Sequence, residues 1–188
     1  MSTPAGPHPD PLARRSPRAR QVIAAARRLL GELGWEGTTM RALAADLGIR
    51  APSLYKHFPS RDALRAALCE VALAEMGRAL RRPLPGENPK DDPVDVLLRR
   101  YRESALSEPE LYRLTTAGRL SREDLLDGLE DWSGEPFLTV ARDPHRAQAL
   151  WAAAHGLIIL EIDGRLPSGP APRATWEALA RAFASAAD

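Results

Sequence analysis

The first regular pattern in the chain is a stripe of apolar residues at helical spacing. Six apolar side chains recur between residues 17 and 33, so this segment is predicted to form one amphipathic helix. Ser16 is placed to cap its first turn, Pro17 fits the first helical position, and Gly34 fits a helix end. The apolar positions are Val22, Ala25, Ala26, Leu29, Leu30 and Leu33.

Two short helices are predicted next, in the segment TMRALAADLGIRAPSLYKHF at residues 39–58. Thr38 or Thr39 is placed to cap the first helix and Gly48 to end it, and Pro52 fits the first turn of the second. Two short helices joined by a glycine-containing turn form a helix-turn-helix, whose second helix enters the major groove of DNA. With the apolar side chains buried, the projecting residues are Ala51, Pro52, Ser53, Tyr55, Lys56 and His57.

The rest of the chain also has helical periodicity. Ser60 is placed to cap a fourth helix, the proline-rich residues 81–93 are predicted to be a linker, and an irregular stretch is expected to begin at Ser133. No stretch alternates with period two, so the predicted fold class is all-α, with about nine helices. The later helices are predicted at about residues 94–106, 109–118, 121–132, 143–163 and 172–187.

Composition restricts the class of protein. Hydrophobic residues make up 44% of the 188 positions and charged residues 27%, which is ordinary for a globular protein, and no apolar run approaches the length of a membrane-spanning helix. Residues 1–15 contain four prolines and no apolar periodicity, so we expect a disordered tail. The start MSTPAGPHPDP lacks the apolar core of a signal peptide and Cys69 is the single cysteine, so we expect a cytoplasmic protein.

The formal net charge of +1 conceals an asymmetry along the chain. Residues 1–61 carry ten basic and four acidic side chains, a net charge of +6, and the remaining 127 residues carry 16 and 21, a net charge of −5. This division predicts a basic head that binds a polyanion and an acidic body. The alternative is a chance fluctuation in an arginine-rich chain.

The segment LAADLGIRAPSLYKHFPSRDAL, within residues 17–68, resembles the signature of the TetR (tetracycline-repressor) family of bacterial transcriptional regulators. The resemblance implies a helix-turn-helix DNA-binding domain at residues 16–61 and a helical ligand-binding and dimerisation domain at residues 62–188. Many members of the family carry Ser or Thr, which can cap the recognition helix, where this chain has Arg50. Arg50 cannot cap a helix in this way and is expected to contact a phosphate.

The family pattern, carried over residue by residue, implies roles for the other projecting side chains. Thr39 is expected to cap the second helix and touch a phosphate, and Arg41 to reach a base or a phosphate. The alternatives are that Tyr55 lies half in the core and that His57 caps a helix end. Ala51, Pro52 and Ser53 are expected to face base edges. Tyr55, His57 and Arg61 are expected to bind phosphates. Lys56 is expected to bind either a base or a phosphate.

Four arginines at or just before the first helix extend the basic region. They are expected to follow the phosphates or enter an adjacent minor groove, and the alternative is a solubilising tail. These residues are Arg14, Arg15, Arg18 and Arg20.

The C-terminal region carries a second resemblance. The segment LWAAAHGLIILEIDGRL at residues 150–166 is similar to the W-x-x-x-H-G element of one subgroup of TetR-type C-terminal domains. In this family the last two long helices pair with those of a second copy, which implies a homodimer. The dimer interface is expected to contain Trp151, Ile158, Ile162, Trp176, Leu179 and Phe183.

The resemblance further implies two other partners, a palindromic operator in double-stranded DNA and a small, mainly hydrophobic effector. Effector binding is expected to weaken DNA affinity, as in a repressor; the alternatives are an activator and a ligand-independent DNA-binding protein. The candidate pocket residues, each of which also fits an ordinary core position, are Met76, Tyr101, Tyr112, Leu114, Trp132, Phe137, Trp151 and His155.

An all-α enzyme is the remote alternative. The four histidines are widely scattered, and the sequence contains no HExxH, GxSxG, Walker or GxGxxG motif. We therefore expect no catalytic residue, no cofactor and no metal. Cys69 lies among apolar residues of the fourth helix and is expected to be a small buried hydrophobe.

Overall fold

The structure is a computed structural model, which describes residues 10–118, 122–166 and 171–184. Within these ranges it contains nine α-helices, a 3₁₀ turn at Arg122–Asp124 and no strand, so the predicted all-α class is confirmed. None of the described helices is both long and apolar enough to span a membrane. The helices are α1 (Pro17–Gly37), α2 (Met40–Asp46), α3 (Ala51–Tyr55), α4 (Arg61–Arg81), α5 (Pro93–Ser107), α6 (Pro109–Thr116), α7 (Leu129–Ala141), α8 (Pro144–Ile162) and α9 (Ala171–Phe183).

The helix ends follow the predicted capping residues. The Ser16 hydroxyl accepts a hydrogen bond from the Ala19 N–H at 3.2 Å, and the Ser60 hydroxyl accepts one from the Ala63 N–H at 3.0 Å. Gly34 interrupts α1 with a φ of 67°, and one further turn follows before α1 ends. A glycine at this position lets the chain leave the regular helix without strain.

The start of α7 differs from the prediction. The sequence predicts a helix at residues 121–132 and an irregular stretch from Ser133, whereas α7 continues through Ser133 and Pro136. A proline inside a helix removes one hydrogen bond to the carbonyl four residues earlier. Burial offsets this loss, because the next residue, Phe137, is buried and packs edge-on against the Tyr101 ring, with 5.3 Å between ring centroids.

The described residues divide into two compact units. The first unit contains those of Met1–Glu75 and Glu108–Trp132, and the second contains those of Met76–Ser107 and Ser133–Asp188. Both α4 and α7 therefore begin in the first unit and end in the second. The predicted disorder of residues 1–9 lies outside the described residues.

The core of the first unit reaches beyond the predicted domain boundary at residue 61. Leu111 and Leu114 of α6 belong to the same buried cluster as Leu43 of α2 and Leu54 of α3. This cluster also includes residues of α1 and α4. The helix-turn-helix therefore packs against three longer helices, α1, α4 and α6.

In the second unit one carboxylate joins three helices. Glu161 of α8 accepts hydrogen bonds from both Arg102 of α5, with Nε to Oε2 at 2.9 Å, and the Trp176 indole of α9 at 3.0 Å. The Glu161 side chain is only 15% exposed. The hydrogen bonds from Arg102 lower the pKa of Glu161 from its ordinary value, so the carboxylate stays ionised in the folded protein.

The predicted linker at residues 81–93 is held against α5. Arg100 pairs with Glu87, and both side chains are largely buried. Arg100 also donates to the Leu80 carbonyl at 2.9 Å. Hydrogen bonds between Arg100 and Glu87 lower the pKa of that carboxyl. The segment is therefore irregular in backbone but fixed by charge-assisted hydrogen bonds.

We expect Glu161→Gln to destabilise the protein by about 1–2 kcal/mol at neutral pH, because the partly buried Arg102 loses its charged partner. Glu177→Gln is the matched control, since Glu177 pairs with Arg173, which is 84% exposed. That change should cost under about 0.5 kcal/mol. Urea unfolding of both variants measures the difference, and equal effects would show that the three-helix junction contributes nothing beyond a surface pair.

The effect of Glu161→Gln should also depend on pH. A pKa lowered in the native state gives stability that is complete above the pKa of the unfolded chain and is lost as pH falls through the native pKa. The difference in unfolding free energy between wild type and Glu161→Gln should therefore be constant near neutrality and shrink below pH 4.5, the ordinary pKa of this group. A gap that widens in acid would contradict this account.

Candidate nucleic-acid interface

A helix-turn-helix is formed by α2 and α3, joined by a turn at Gly48. Gly48 has a φ of 62°, its N–H donates to the Ala45 carbonyl at 3.1 Å, and the Ile49 N–H donates to the Ala44 carbonyl at 2.9 Å. These two bonds make a Schellman motif, with glycine at the left-handed position. The motif turns the chain sharply after α2 and so fixes where α3 begins.

The first residues of both helices match their predicted roles in part. The Thr39 hydroxyl caps α2 by accepting from the Ala42 N–H at 3.1 Å. Arg50 occupies the N-cap position of α3 in an extended conformation and makes no side-chain cap, as its side-chain chemistry requires. Pro52 lies in the first turn of α3, where its missing N–H costs nothing.

Most of the predicted DNA-binding residues share an exposed surface of α2 and α3. Tyr55 is 48% exposed, so about half of its surface is open to solvent and the rest is covered by the protein, which fits both the predicted contact and the half-core alternative. Ala51 is half-buried and packs against the core cluster, and His57 is half-buried with no hydrogen bond to its ring in the described part of the chain. The exposed members of the set are Thr39, Arg41, Arg50, Pro52, Ser53, Tyr55 and Lys56.

The cations of this surface have no acidic partner, unlike the arginines that join the helices of the first unit. Arg41, Arg50 and Lys56 make no ion pair or hydrogen bond within the described residues. By contrast, Arg28 of α1 binds both carboxylate oxygens of Asp46 at 2.5 Å. Three positive charges therefore project from the helix-turn-helix without internal neutralisation, which is the electrostatic pattern of a phosphate-binding surface.

Arg27 of α1 is an example of an arginine that is neutralised by carboxylates within the first unit. Its guanidinium donates to Glu75 at 2.7 and 2.8 Å and to both oxygens of Glu108. These hydrogen bonds, led by those to Glu108, raise the pKa of Arg27. Glu75 and Glu108 are the residues at which the chain leaves and re-enters the first unit. Arg27 therefore binds the residues at the first two of the three positions where the chain passes between units, and ties them to α1.

Part of the predicted disordered tail is ordered. Residues 11–15 form turns, Arg15 donates to Glu70 of α4 at 2.8 Å, and Arg14 lies 3.5 Å from the same carboxylate. The Arg15 guanidinium also lies 5.7 Å from the centre of the Phe58 ring. Glu70 is 2% exposed, and a buried carboxylate requires a partner of this kind. Arg14 and Arg15 thus bind the protein, although the sequence assigned them to a flexible arm.

The other two arginines of this arm are also engaged within the protein. Arg18 donates to the Gln21 side chain at 2.8 Å, and Arg20 donates to the Arg15 carbonyl at 3.0 Å. Both bonds are at the surface, where they compete with water and cost little to exchange.

Family comparisons agree with this geometry. The model of the bacterial regulatory proteins of the TetR family matches residues 22–68, and the model of the tetracycline repressor-like C-terminal domain matches residues 94–183. The chain belongs to the TetR family. It is therefore a DNA-binding transcriptional regulator by family, and the family is one of regulators and not of enzymes.

Individual TetR-family relatives support the assignment over different lengths. An uncharacterised HTH-type transcriptional regulator of Mycobacterium tuberculosis is 29% identical over 152 residues, which are 76% of this chain and 69% of that protein. The class A tetracycline repressor from transposon 1721 of Escherichia coli is 52% identical over 54 residues, which are 29% of this chain and only 25% of that repressor. The solved structure of the multidrug-binding protein EbrR complexed with imidazole has a TM-score of 0.67 and 25% identity, covering 100% of both chains.

The residues predicted to line a ligand pocket are divided between the two units. Tyr112, Leu114 and Trp132 belong to the first unit, where Leu114 is part of the core cluster. The other five, Met76, Tyr101, Phe137, Trp151 and His155, belong to the second unit. There Tyr101 contacts Phe137, and Trp151 stacks on His155 with 5.7 Å between ring centroids. Burial lowers the pKa of His155.

The residues predicted to form a dimer interface differ in exposure. Trp151 is 43% exposed, and Ile162, Leu179 and Phe183 are half-buried. Ile158 and Trp176 are buried within their own chain and leave almost no surface for a partner, so they could lie beside an interface but not form its contact surface. Apolar spacing marks a covered face but does not tell which chain covers it.

Several charged residues that organise the first unit were missed by the sequence reasoning. Glu70 and Glu75 pair with arginines 55 and 48 residues away, a separation that no local pattern reveals. The one available signal was their position within the apolar stripe of α4, where an acidic residue needs a partner. Cys69 is buried as expected, and burial raises the pKa of its thiol, which keeps it protonated. The described residues contain no group of three or more His, Cys, Asp or Glu arranged to hold a metal ion.

We expect Gly48→Ala to destabilise the protein by about 1–2 kcal/mol, because an L-residue is strained at the positive φ of this turn. Apart from the adjoining residues, no atom of the described ranges lies within 4 Å of the added Cβ, so the cost is one of backbone conformation. Gly31→Ala in α1 is the matched control, with equally open space and an ordinary helical φ, and should stabilise by about 0.5–1 kcal/mol. Thermal unfolding compares the two; a Gly48→Ala protein at least as stable as wild type would contradict the role of the turn.

Proposed function

We propose that the protein is a homodimeric repressor that binds a palindromic operator and is released by a small, mainly hydrophobic effector. The observation that carries the DNA-binding part is a set of unpartnered cations on the helix-turn-helix, with Arg41 in α2, Arg50 at the N-cap of α3 and Lys56 at its C-cap. Phosphates would bind these cations and Tyr55, which positions the head. Ser53 and Pro52 would then face base edges in the major groove.

Dimer formation is supported by the surface of α8. Trp151 and Leu160 expose 43% and 37% of their surface, which is unusual for large apolar residues, and at the helical repeat they lie on opposite sides of α8. The small residues Ala149 and Ala152 are also exposed on this helix and would allow a second helix to approach closely. A twofold dimer would place two heads about 34–36 Å apart, the distance between successive major grooves on one side of DNA.

Effector binding is supported by the aromatic side chains of the second unit and by two relatives. Tyr101 and Phe137 are buried and in contact, as in the apolar lining of ligand sites. EbrR is named a multidrug-binding protein, and the matching Escherichia coli relative is named a tetracycline repressor. A ligand that binds the DNA-free state more tightly than the DNA-bound state would release the operator.

Selection of bound fragments from random double-stranded DNA by the full chain should enrich an inverted repeat with half-sites about one helical turn apart. Sedimentation should find two chains on each site. Expression of a reporter placed under this operator should fall when the protein is present. If no inverted repeat is enriched, the proposed mode of DNA binding is contradicted, and a rise in expression would favour an activator.

Two single substitutions serve as matched controls for this selection. Ser53→Ala should weaken binding about fivefold for the selected sequence and relax the preference at one base pair, because a base-edge hydrogen bond is lost. Tyr55→Phe should weaken binding to all sequences nearly equally, because it removes a phosphate contact. An unchanged sequence preference in Ser53→Ala would show that α3 does not read the groove as proposed.

A further inference from the structure

Arg61, the first residue of α4, is bound to the protein's own backbone. Its Nε donates to the Thr38 carbonyl at 3.2 Å, and Nη2 donates to the Trp35 carbonyl. The guanidinium carbon lies 4.3 Å from the centre of the Trp35 ring, which is a cation–π contact. The remaining terminal nitrogen, Nη1, lies 4.0 Å from the Glu36 carboxylate. One side chain thus contacts two residues of the last turn of α1 and one residue of the connection to α2.

The connection that Arg61 holds is tightly specified. Thr38 is fully buried, and its hydroxyl donates to the Gly34 carbonyl at 2.8 Å. The Thr38 N–H donates to the carbonyls of Gly34 and Trp35 at 3.2 and 3.1 Å. The carbonyl of Thr38 is free to accept from Arg61, and the next residue, Thr39, caps α2. Any displacement of this segment would therefore move the start of α2.

These contacts leave Arg61 poorly placed to bind a phosphate as well. A guanidinium has five N–H donors arranged in one plane. In Arg61 the Nε and Nη2 groups donate to main-chain carbonyls, and the Trp35 ring lies against the guanidinium. The Arg61 side chain is 33% exposed, whereas Arg41 and Arg50 are exposed and have no partner in the described ranges.

We propose that Arg61 is a positioning residue of the DNA interface and not a phosphate contact. It fixes the carbonyls of Trp35 and Thr38 and thereby holds the start of α2, where Thr39 and Arg41 lie. This inference rests on the proposed DNA binding, but its structural part concerns the free protein. Lysine cannot replace arginine in this role, because an ammonium group neither spans two carbonyls in one plane nor stacks flat on an indole ring.

The test combines two measurements on the full-length protein carrying Arg61→Ala or Arg61→Lys. The first is amide hydrogen exchange in the absence of DNA, at Thr38 and at Ala42, whose N–H is held by the Thr39 cap. The second is the affinity for the selected operator as a function of salt. We expect faster exchange at both amides and about tenfold weaker binding in each variant. The slope of log affinity against log salt should stay that of wild type, because no phosphate contact is lost.

Arg50→Ala is the matched control, since it removes an exposed and unpartnered arginine from the same surface. It should lower the salt slope by about 2 for a dimer, one contact in each head, and leave the exchange of Thr38 and Ala42 unchanged. A salt slope lowered equally by Arg61→Ala, or full affinity in Arg61→Lys, would overturn the proposal and make Arg61 a phosphate contact.

Trp35→Leu keeps the test decisive if the Arg61 variants do not fold. This change removes the stacking surface and leaves Arg61 in place, so it should accelerate the same amides and weaken binding with an unchanged salt slope. Wild-type affinity in Trp35→Leu would overturn the proposal. If wild type binds no DNA at all, the proposed function fails, yet unaltered exchange in the Arg61 or Trp35 variants would independently refute the positioning role.

Discussion

Ion pairs inside the first unit neutralise the arginines that join its helices and leave the cations of the helix-turn-helix unneutralised. Glu70 binds Arg14 and Arg15, Asp46 binds Arg28, and Glu75 with Glu108 binds Arg27. Each of these pairs joins helices or ties the chain start to α4, so the carboxylates neutralise the arginines of the supporting frame. The cations of the helix-turn-helix receive no such partner in the described ranges. These cations are Arg41, Arg50 and Lys56.

The same arrangement gives the unpartnered cations a fixed geometry. A left-handed glycine and two backbone hydrogen bonds set the turn between α2 and α3, and the Thr39 cap sets the start of α2. Leu43 and Leu54 bury the inner faces of the two helices in a core shared with α1, α4 and α6. Charges held on rigid, capped helices can match the spacing of phosphates without a large ordering cost on binding.

Local chemistry made much of this surface predictable from the sequence. Gly48, Thr39 and Pro52 each carry a conformational preference that acts within four residues, and the structure uses all three as expected. Long-range pairs could not be predicted: nothing in the sequence shows that Arg15 meets Glu70. The irregular stretch predicted within what is now α7 was wrong for a related reason. Burial of Phe137 outweighed the helix-breaking tendency of Pro136. Likewise, Ile158 has interface-like spacing but is covered by its own chain.

We propose that the unpartnered cations, and not the net basic charge of the head, bind DNA. This can be measured as the salt dependence of operator affinity in a variant with Arg41, Arg50 and Lys56 all changed to Gln. In a dimer this removes six positive charges, so the slope of log affinity against log salt should fall by about 5 if each cation binds one phosphate. A slope equal to that of wild type would contradict the claim and shift DNA binding to the arginines that the structure pairs with carboxylates.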